Sequence, residues 1–556
     1  MHDDVRGGCV EGLFIPSASA VADSVFLTAA IGLVPLVAFF VLLGVFKLAT
    51  HWCALGALAI SALSAVVFFG MPASLVGLSA LQGLTFGIAP ILYIVVAAVW
   101  LYNLSVASGW ANDVRTVFSA LGRGDQRVQA LLVAFSFGAL LEGLAGFGAP
   151  VAIVGAMLVM LGLPPLKAAM VTMVGNALSV GFGAMGIPTT TAGRLADSTG
   201  TDVALIASAL TPWIAILVPF LILGILDGSR GIRQLWHVAF AQGLTMGLGH
   251  FFTVRVLTYE LAAVLAGLFS FIVAVGVVRM VHIAPVAQWQ SKEVLSLPPM
   301  RNIILGFLPY LLVVVVFGVA KLWRIGIDIP ALLASTEIAI EWPGLYGRLG
   351  TANGEVSQAA VYNLQWLSSP GTLIVVTVLI VAAVYSAVST PERQMTMGRA
   401  FGVFGETLRQ LSWSLVTIAL VMALAYVMNF SGQTTAIGTA LATTGSVFAF
   451  LSPLLGWVGT AVTGSATSSN ALFANLQASA AHGVGVDPNV FVAANNVGGG
   501  IGKIVSPQNL AIAATAVGGQ TSEAEILRKV APWSVGLILF LGVLTTLASL
   551  GWLPFV

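Results

Sequence analysis

The sequence predicts an all-α polytopic membrane protein built from two inverted-topology repeats, each with a re-entrant hairpin and a broken transmembrane helix. The first reason is composition. Of 556 residues, 58% are hydrophobic and 8% charged, and the mean hydropathy is +1.01. That excludes the water-soluble classes. The second reason is an ordered series of matching residues that recurs along the chain. The third is that equivalent loops of the two halves carry opposite charge patterns.

Composition also sets exclusions. A net charge of +1 gives no global basic surface, so no nucleic-acid partner is expected. Cys9 and Cys53 are too few for a disulfide framework or a thiolate zinc site. Cys53 reads as a small core residue. No metal and no cofactor is expected. The polar, mildly acidic segment 1–24 lacks the basic start of a signal peptide, so the first span is expected to stay in the membrane.

Hydrophobic runs bounded by charge place the elements in order. The first repeat, 25–226, holds spans at 25–46, 53–70, 88–107 and 205–226. It also holds a hairpin at 128–162 and a broken helix at 166–192. A linker, 227–301, carries a helix pair at 236–253 and 257–278, the former the weakest span. The second repeat, 302–551, holds spans at 302–320, 371–389, 411–430 and 531–551. Its hairpin is 447–482 and its broken helix 488–517. A polar insertion occupies 322–369 and contains Glu337, Glu341 and Glu355. The total is about twelve crossings plus two hairpins. Hairpin arms that cross fully add two spans each and leave the parity unchanged.

The repeat is visible residue by residue. Ile31-Gly32-Leu33-Val34-Pro35 matches Leu305-Gly306-Phe307-Leu308-Pro309 at an offset of 274, and Gly44 and Lys47 match Gly318 and Lys321. Gly138 and Gly146 match Gly456 and Gly464 at 318. Asn176, Gly181, Gly183 and Pro188 match Asn495, Gly500, Gly502 and Pro507 at 319, and Pro212-Trp213 matches Pro532-Trp533. The insertion accounts for the change of offset. Arg115, Arg123 and Arg127 follow the third span of the first half, whereas Ser431–Ser446 is uncharged. One loop earlier, 70–87 is uncharged and its equivalent carries Arg393, Arg399 and Arg409. Cytoplasmic loops collect Arg and Lys, so the halves are inverted. Tracing the crossings puts both termini outside and Arg230/Arg233, Arg279/Lys292/Arg301 and Arg528/Lys529 inside. Such a pair of repeats describes a secondary carrier whose hairpin tips and helix breaks meet near the midplane.

The candidate site residues lie in those breaks and tips. The run from Ala494 to Asn509 is rich in glycine and amides and includes Lys503. It is expected to unwind over Gly498–Ser506 and to restart at Pro507 with Ser506 as cap. The restarting end suits an anion. The plain alternative is that the glycines only let helices pack closely. The second hairpin tip, Thr463–Asn470, carries hydroxyls and an amide suited to a carboxylate and a hydroxyl, or merely to its own turn. Glu142 in the first hairpin and Lys503 are ionisable residues inside apolar sequence and are functional candidates for that reason. Glu142 suits a proton and Lys503 a carboxylate. The alternative is a Glu142–Lys503 ion pair that only joins the halves. His250 and Arg255 read as facing water or headgroups near the turn of the linker hairpin, and Arg194 and Asp197 as an interfacial loop. Gly181-Phe182-Gly183-Ala184-Met185-Gly186 fits GxGxxG but lies inside a span, and Gly498–Lys503 is one residue short of a phosphate loop.

At these residues the chain resembles the L-lactate permease family, which also includes glycolate permeases. The likeness is carried by Gly124-Asp125-Gln126-Arg127-Val128-Gln129-Ala130, Phe137-Gly138-Ala139-Leu140-Leu141-Glu142-Gly143 and Gly146-Phe147-Gly148-Ala149-Pro150. It continues in Phe182-Gly183-Ala184-Met185-Gly186-Ile187-Pro188, Thr463-Gly464-Ser465-Ala466-Thr467-Ser468-Ser469-Asn470 and Lys503-Ile504-Val505-Ser506-Pro507-Gln508. The resemblance implies uptake of L-lactate, glycolate or D-lactate in symport with protons across a bacterial inner membrane. It also implies kinship with a wider ion-transporter superfamily. The expected partners are L-lactate or glycolate, H+ and the lipid bilayer, and no enzymatic activity is expected.

The expected substrate contacts are Gly146, Phe147, Gly148, Asn176, Ser465, Thr467, Ser468, Asn470, Asn495, Lys503, Ser506 and Gln508, with Asn176, Asn495 and Gln508 toward the 2-hydroxyl. Glu142 is the expected proton-coupling residue. Sodium bound by backbone carbonyls at the breaks is an open alternative. A passive channel for small anions or neutral solutes is another.

Overall fold

The computed structural model describes residues 13–46, 48–121, 124–146, 148–281, 286–290, 296–323, 327–351, 355–519 and 521–555. Phe147, Cys9, Lys47, Arg123 and Lys292 lie outside the described residues. Among the described residues, ten helical segments are long and apolar enough to cross a membrane. Pro165–Asn176 and Leu178–Leu195 form a further pair bent by 46°.

The linker helix pair takes an unexpected form. Gly200–Val256 is one 57-residue segment, which would be about 85 Å long if straight. It does not run straight, because Gly228 has φ 59° and ψ −146°. Past that turn Gly243 lies against Ala215 and Gly247 against Pro212, so the second arm folds back along the first. The expected spans 205–226 and 236–253 are the arms of this hairpin. Tyr259–Leu261 and Ala262–Met280 follow. This helical group beds the first hairpin. Gln242 Nε2 donates to the Leu131 carbonyl (2.9 Å) and to Ser136 Oγ (2.7 Å), and Ser136 pairs with Ser270 at 3.0 Å.

Two segments differ from expectation at their starts. The uncharged stretch 70–87, expected as a loop, is helical over Ala73–Phe86. It continues through a π-helical turn at Gly87–Leu92 into Tyr93–Ala107. Its equivalent, Met397–Ser431, takes Arg399 and Arg409 into the helix as well. Small residues explain why. Gly83 and Gly87 let this segment lie against the backbone at Met422 and Ala419. Farther along, Asn103 Nδ2 donates to Thr407 and Gln410, and Trp100 Nε1 to the Ala400 carbonyl. The pair runs antiparallel. The described part of the insertion contains a short antiparallel pair, Ile338–Glu341 with Val361–Leu364. It caps the kinked helix: the Tyr362 hydroxyl donates to the Ala89 carbonyl, freed by a non-helical backbone there.

Both hairpins and both breaks are present. The first hairpin has arms Gln126–Leu144 and Ala149–Met160, the second Val447–Thr463 and Ala466–Val484. The expected unwinding over Gly498–Ser506 is corrected. Pro488–Gly502 is helical through the glycines, and only Lys503–Ser506 breaks before Pro507–Ala516. The glycines serve close packing. A methyl group on Gly498 would stand 2.3 Å from the Pro453 carbonyl oxygen, and on Gly502 2.2 Å from that of Trp457. Gly500 meets the Ala177 carbonyl, while Gly181 meets the Asn496 amide. In the first broken helix the chain turns left-handed at Ala184, Met185 and Gly186 before Pro188. Thr189 donates to the Gly181 carbonyl and Thr190 to that of Gly186, so carbonyls freed by the break find partners.

One charged knot fixes the Gly228 turn to the foot of the first hairpin. Arg127, fully buried, binds Asp125 Oδ2 at 2.7 Å, Asp227 Oδ2 at 2.8 Å and Gln234 at 2.7 Å. Burial works against the Asp227 charge. Hydrogen bonds from Arg230, Trp289 and Arg127 outweigh it and hold the carboxyl down at about 2, from an ordinary 3.8. A depressed carboxyl stabilises the fold above its ordinary value and loses that contribution as pH falls toward about 2. Arg127→Met therefore removes a countercharge from two acids and is expected to cost about 3–5 kcal/mol. Thermal unfolding in detergent at neutral pH reads this directly. An unchanged midpoint would show that the knot contributes nothing.

Candidate functional site

Glu142 and Lys503 meet. Glu142 sits in the helical arm that ends at Leu144, and Lys503 opens the break of the second broken helix. Lys503 Nζ lies 2.8 Å from Oε1 and 2.9 Å from Oε2 of Glu142. Both residues are buried, 5% and 2% exposed, which leaves almost no water to share the charge. Asn176 Nδ2 donates to Oε2 at 2.9 Å as a second partner. Taking two charges out of water costs several kcal/mol per ion, on the order of the attraction that a fully hydrogen-bonded pair returns.

Missing side chains make the room. A methyl group on Gly183 would stand 2.8 Å from Glu142 Oε1, and one on Gly146 3.6 Å from the same atom. Gly146 has φ +52° and Gly148 φ +86°, backbone that side-chain-bearing residues rarely adopt. The glycines of the rejected GxGxxG match thus have a packing reason in Gly183.

The ion pair forms one wall of a cavity of about 410 Å³. The second hairpin tip lines it with Thr463, Ser465, Thr467 and Ser468, and Gln508 stands in the first turn after the break. The first broken helix adds Val180, Gly183 and Pro188. Thr50 and His51 also line it, with Trp413, Ser414, Thr417 and Ile418. His51 stacks on Trp413 at 4.5 Å with the rings 20° apart. Two helices, Ala466–Val484 and Pro507–Ala516, begin at this cavity, and helix starts carry partial positive charge. Together with Lys503 they suit one small anion, and the hydroxyls suit its polar substituents.

Several expected site residues lie elsewhere. Asn470, Asn495 and Asn176 do not line the cavity. Asn470 donates to the Pro188 carbonyl (3.0 Å) and to Asn496 Oδ1 (2.8 Å), and accepts from Asn495 at 2.8 Å. Gln477 donates to Asn495, and Asn496 to Thr189. This amide ladder ties the second hairpin to both broken helices. Gly148 faces Ile512 and Asn509. Ser506 is in extended backbone before Pro507, but the expected side-chain cap is corrected: its hydroxyl accepts from the Asn509 side-chain amide at 3.2 Å instead. His250, expected near water, is fully buried and stacks on Phe182 at 5.1 Å. Arg255 donates to Ser208, the Leu205 carbonyl and the Phe555 carbonyl. The wall of His51, Trp413 and Thr417 was not anticipated, because helices far apart in sequence assemble it. Among the described residues no group of three or more His, Cys, Asp or Glu side chains is placed to hold a metal.

Comparison with known proteins finds relatives over nearly the whole chain. The glycolate permease GlcA of Escherichia coli K12 is 35% identical over 550 residues, covering 94% of this chain and 96% of its own. The L-lactate permease of Salmonella typhi is 35% identical over 546 residues, covering 95% and 97%. Among solved structures, the Alcanivorax borkumensis YdaH transporter aligns over 85% of this chain and 87% of its own, at 18% identity and a TM-score of 0.44. Residues 28–550 match the family described as L-lactate permease. This multi-pass membrane protein belongs to the L-lactate permease family.

Proposed function

We propose that the protein takes up L-lactate and related 2-hydroxymonocarboxylates, glycolate and D-lactate among them, in symport with protons across a bacterial inner membrane. The observation that carries this reading is the buried Glu142–Lys503 pair at the wall of the cavity. Lys503 Nζ directs its bonds to a carboxylate of the protein. A substrate carboxylate is the same kind of acceptor and competes for the same ammonium. A proton on Glu142 weakens its hold on Lys503 and frees that group for the substrate. Proton and substrate therefore enter together.

Ser465, Thr467, Ser468 and Gln508 surround the space where the carboxylate and 2-hydroxyl would lie. The reading also takes the two repeats to be inverted, with both termini outside. The loop charges support the sidedness, and the reciprocal contact at the crossing of the breaks supports the inversion. Gly500 touches Ala177 and Gly181 touches Asn496, positions that exchange under the 319-residue offset, as a two-fold relation demands.

The test is labelled L-lactate uptake into sodium-free proteoliposomes. The wild type is expected to accumulate lactate above the outside concentration under an inward proton gradient and to lose that accumulation with a protonophore. Gradient-independent equilibration would reject symport.

Glu142→Gln keeps the shape of a protonated acid. It is expected to exchange lactate across the membrane yet lose gradient-driven accumulation. Unchanged pH dependence would remove Glu142 from proton coupling.

Lys503→Met is expected to weaken substrate binding by about 100-fold, roughly 3 kcal/mol for a truncated buried charge partner. The double variant Glu142→Gln/Lys503→Met removes both charges and should fold at least as well. Recovery of transport in it would show that the pair only holds the halves together.

A further inference from the structure

Every group observed on the Glu142 carboxylate donates. Lys503 Nζ donates to both oxygens and Asn176 Nδ2 to Oε2. An ammonium has no acceptor. A protonated Glu142 carries an O–H that needs one, and burial makes an unpaired polar hydrogen costly. Of the two donor atoms, only Nδ2 belongs to a side chain that also holds an acceptor. That acceptor, Asn176 Oδ1, is buried and has no hydrogen-bond partner among the described residues. Asn176 itself is 3% exposed and outside the cavity lining, so it is poorly placed to bond substrate.

We propose that Asn176 reads the protonation state of Glu142 by turning its amide over. With Glu142 ionised, Nδ2 donates to Oε2, as observed. With Glu142 protonated, a half-turn of the amide brings Oδ1 to the same place, where it accepts from the new O–H. One side chain thus satisfies both states of the acid, and Lys503 is released toward the cavity in the second. Asn176 is a positioning residue acting through Glu142. The inference rests on the reading of Glu142 as the proton site.

Five other ionisable groups on the surrounding elements have partners of their own, and His51, which lines the same cavity, stacks on Trp413. Lys167 donates to the Leu226 carbonyl and Arg194 to Gln365. Tyr259 pairs with Thr190, Glu260 accepts from Thr258, and His250 stacks on Phe182.

The test compares two fluxes of labelled L-lactate in proteoliposomes: net uptake driven by a proton gradient, and one-for-one exchange at equal pH. Exchange proceeds with Glu142 protonated throughout, whereas net uptake requires the proton to come and go. In Asn176→Leu, net uptake is expected to fall by about tenfold or more, the effect of one strong hydrogen bond. Exchange, which asks for no turn of the amide, is expected to lose less than net uptake does. Equal loss of both fluxes, as for a substrate contact or a purely structural residue, would overturn the proposal, and so would no loss.

Should the leucine variant fail to reach the membrane, Asn176→Asp decides. It supplies donor and acceptor in one carboxyl, so net uptake should persist with its pH midpoint moved upward, because two neighbouring acids share a proton. An unmoved midpoint overturns the proposal. A wild type without gradient-driven uptake would instead remove the coupling reading beneath it.

Discussion

The Lys503–Glu142 ion pair is the contact on which the rest of the site depends. It joins the first hairpin to the second broken helix across 361 residues of sequence. Buried charges are tolerated only when paired and fully hydrogen-bonded, so the surroundings answer to this demand. Gly183 and Gly146 leave the carboxylate its space. The left-handed backbone at Ala184, Met185 and Gly186 carries the chain around it. Non-glycine residues in that conformation cost about 1–2 kcal/mol each and persist where the surroundings over-determine them.

Close backbone contact holds the two broken helices to the hairpins. Lipid gives helices no hydrophobic reason to associate, so packing and hydrogen bonding must do it. Gly456, Gly498 and Gly502 put helix backbones in direct contact. Polar side chains then satisfy what the breaks expose. The ladder Gln477–Asn495–Asn470–Asn496–Thr189 runs from the second hairpin through both broken helices to the Gly181 carbonyl. Such a chain is strongest when complete, and it fixes where the hairpin tip sits relative to Glu142.

The sequence made the hairpins, the broken helices and the two key charges legible, because glycine, proline and ionisable residues inside apolar runs have few other uses. It did not fix where the second helix breaks. Glycine serves both unwinding and close packing, and at Gly498–Gly502 packing prevails. The helix at Ala73–Phe86 was hidden because an uncharged stretch with glycine reads equally as loop. For Asn470 and Asn495 the residue type was informative and the partner was not, since an amide binds another amide as readily as a hydroxy acid. His51 and Trp413 carry no local signal at all; only the packing of Thr50–Val67 beside Met397–Ser431 brings them together.

On the proposed reading, charge balance accounts for why proton and substrate travel together. The empty site holds one ammonium and one carboxylate and is neutral. With a proton on Glu142 and a substrate carboxylate on Lys503 it is neutral again. Substrate without the proton leaves one uncompensated negative charge, and the proton without substrate leaves one positive charge. Both half-filled states place a net charge among groups that are at most 5% exposed, where burial costs several kcal/mol. A barrier of that kind disfavours carrying either passenger alone through the closed protein. On that reading the same balance favours one proton per monocarboxylate, because any other ratio reintroduces the charge that burial penalises.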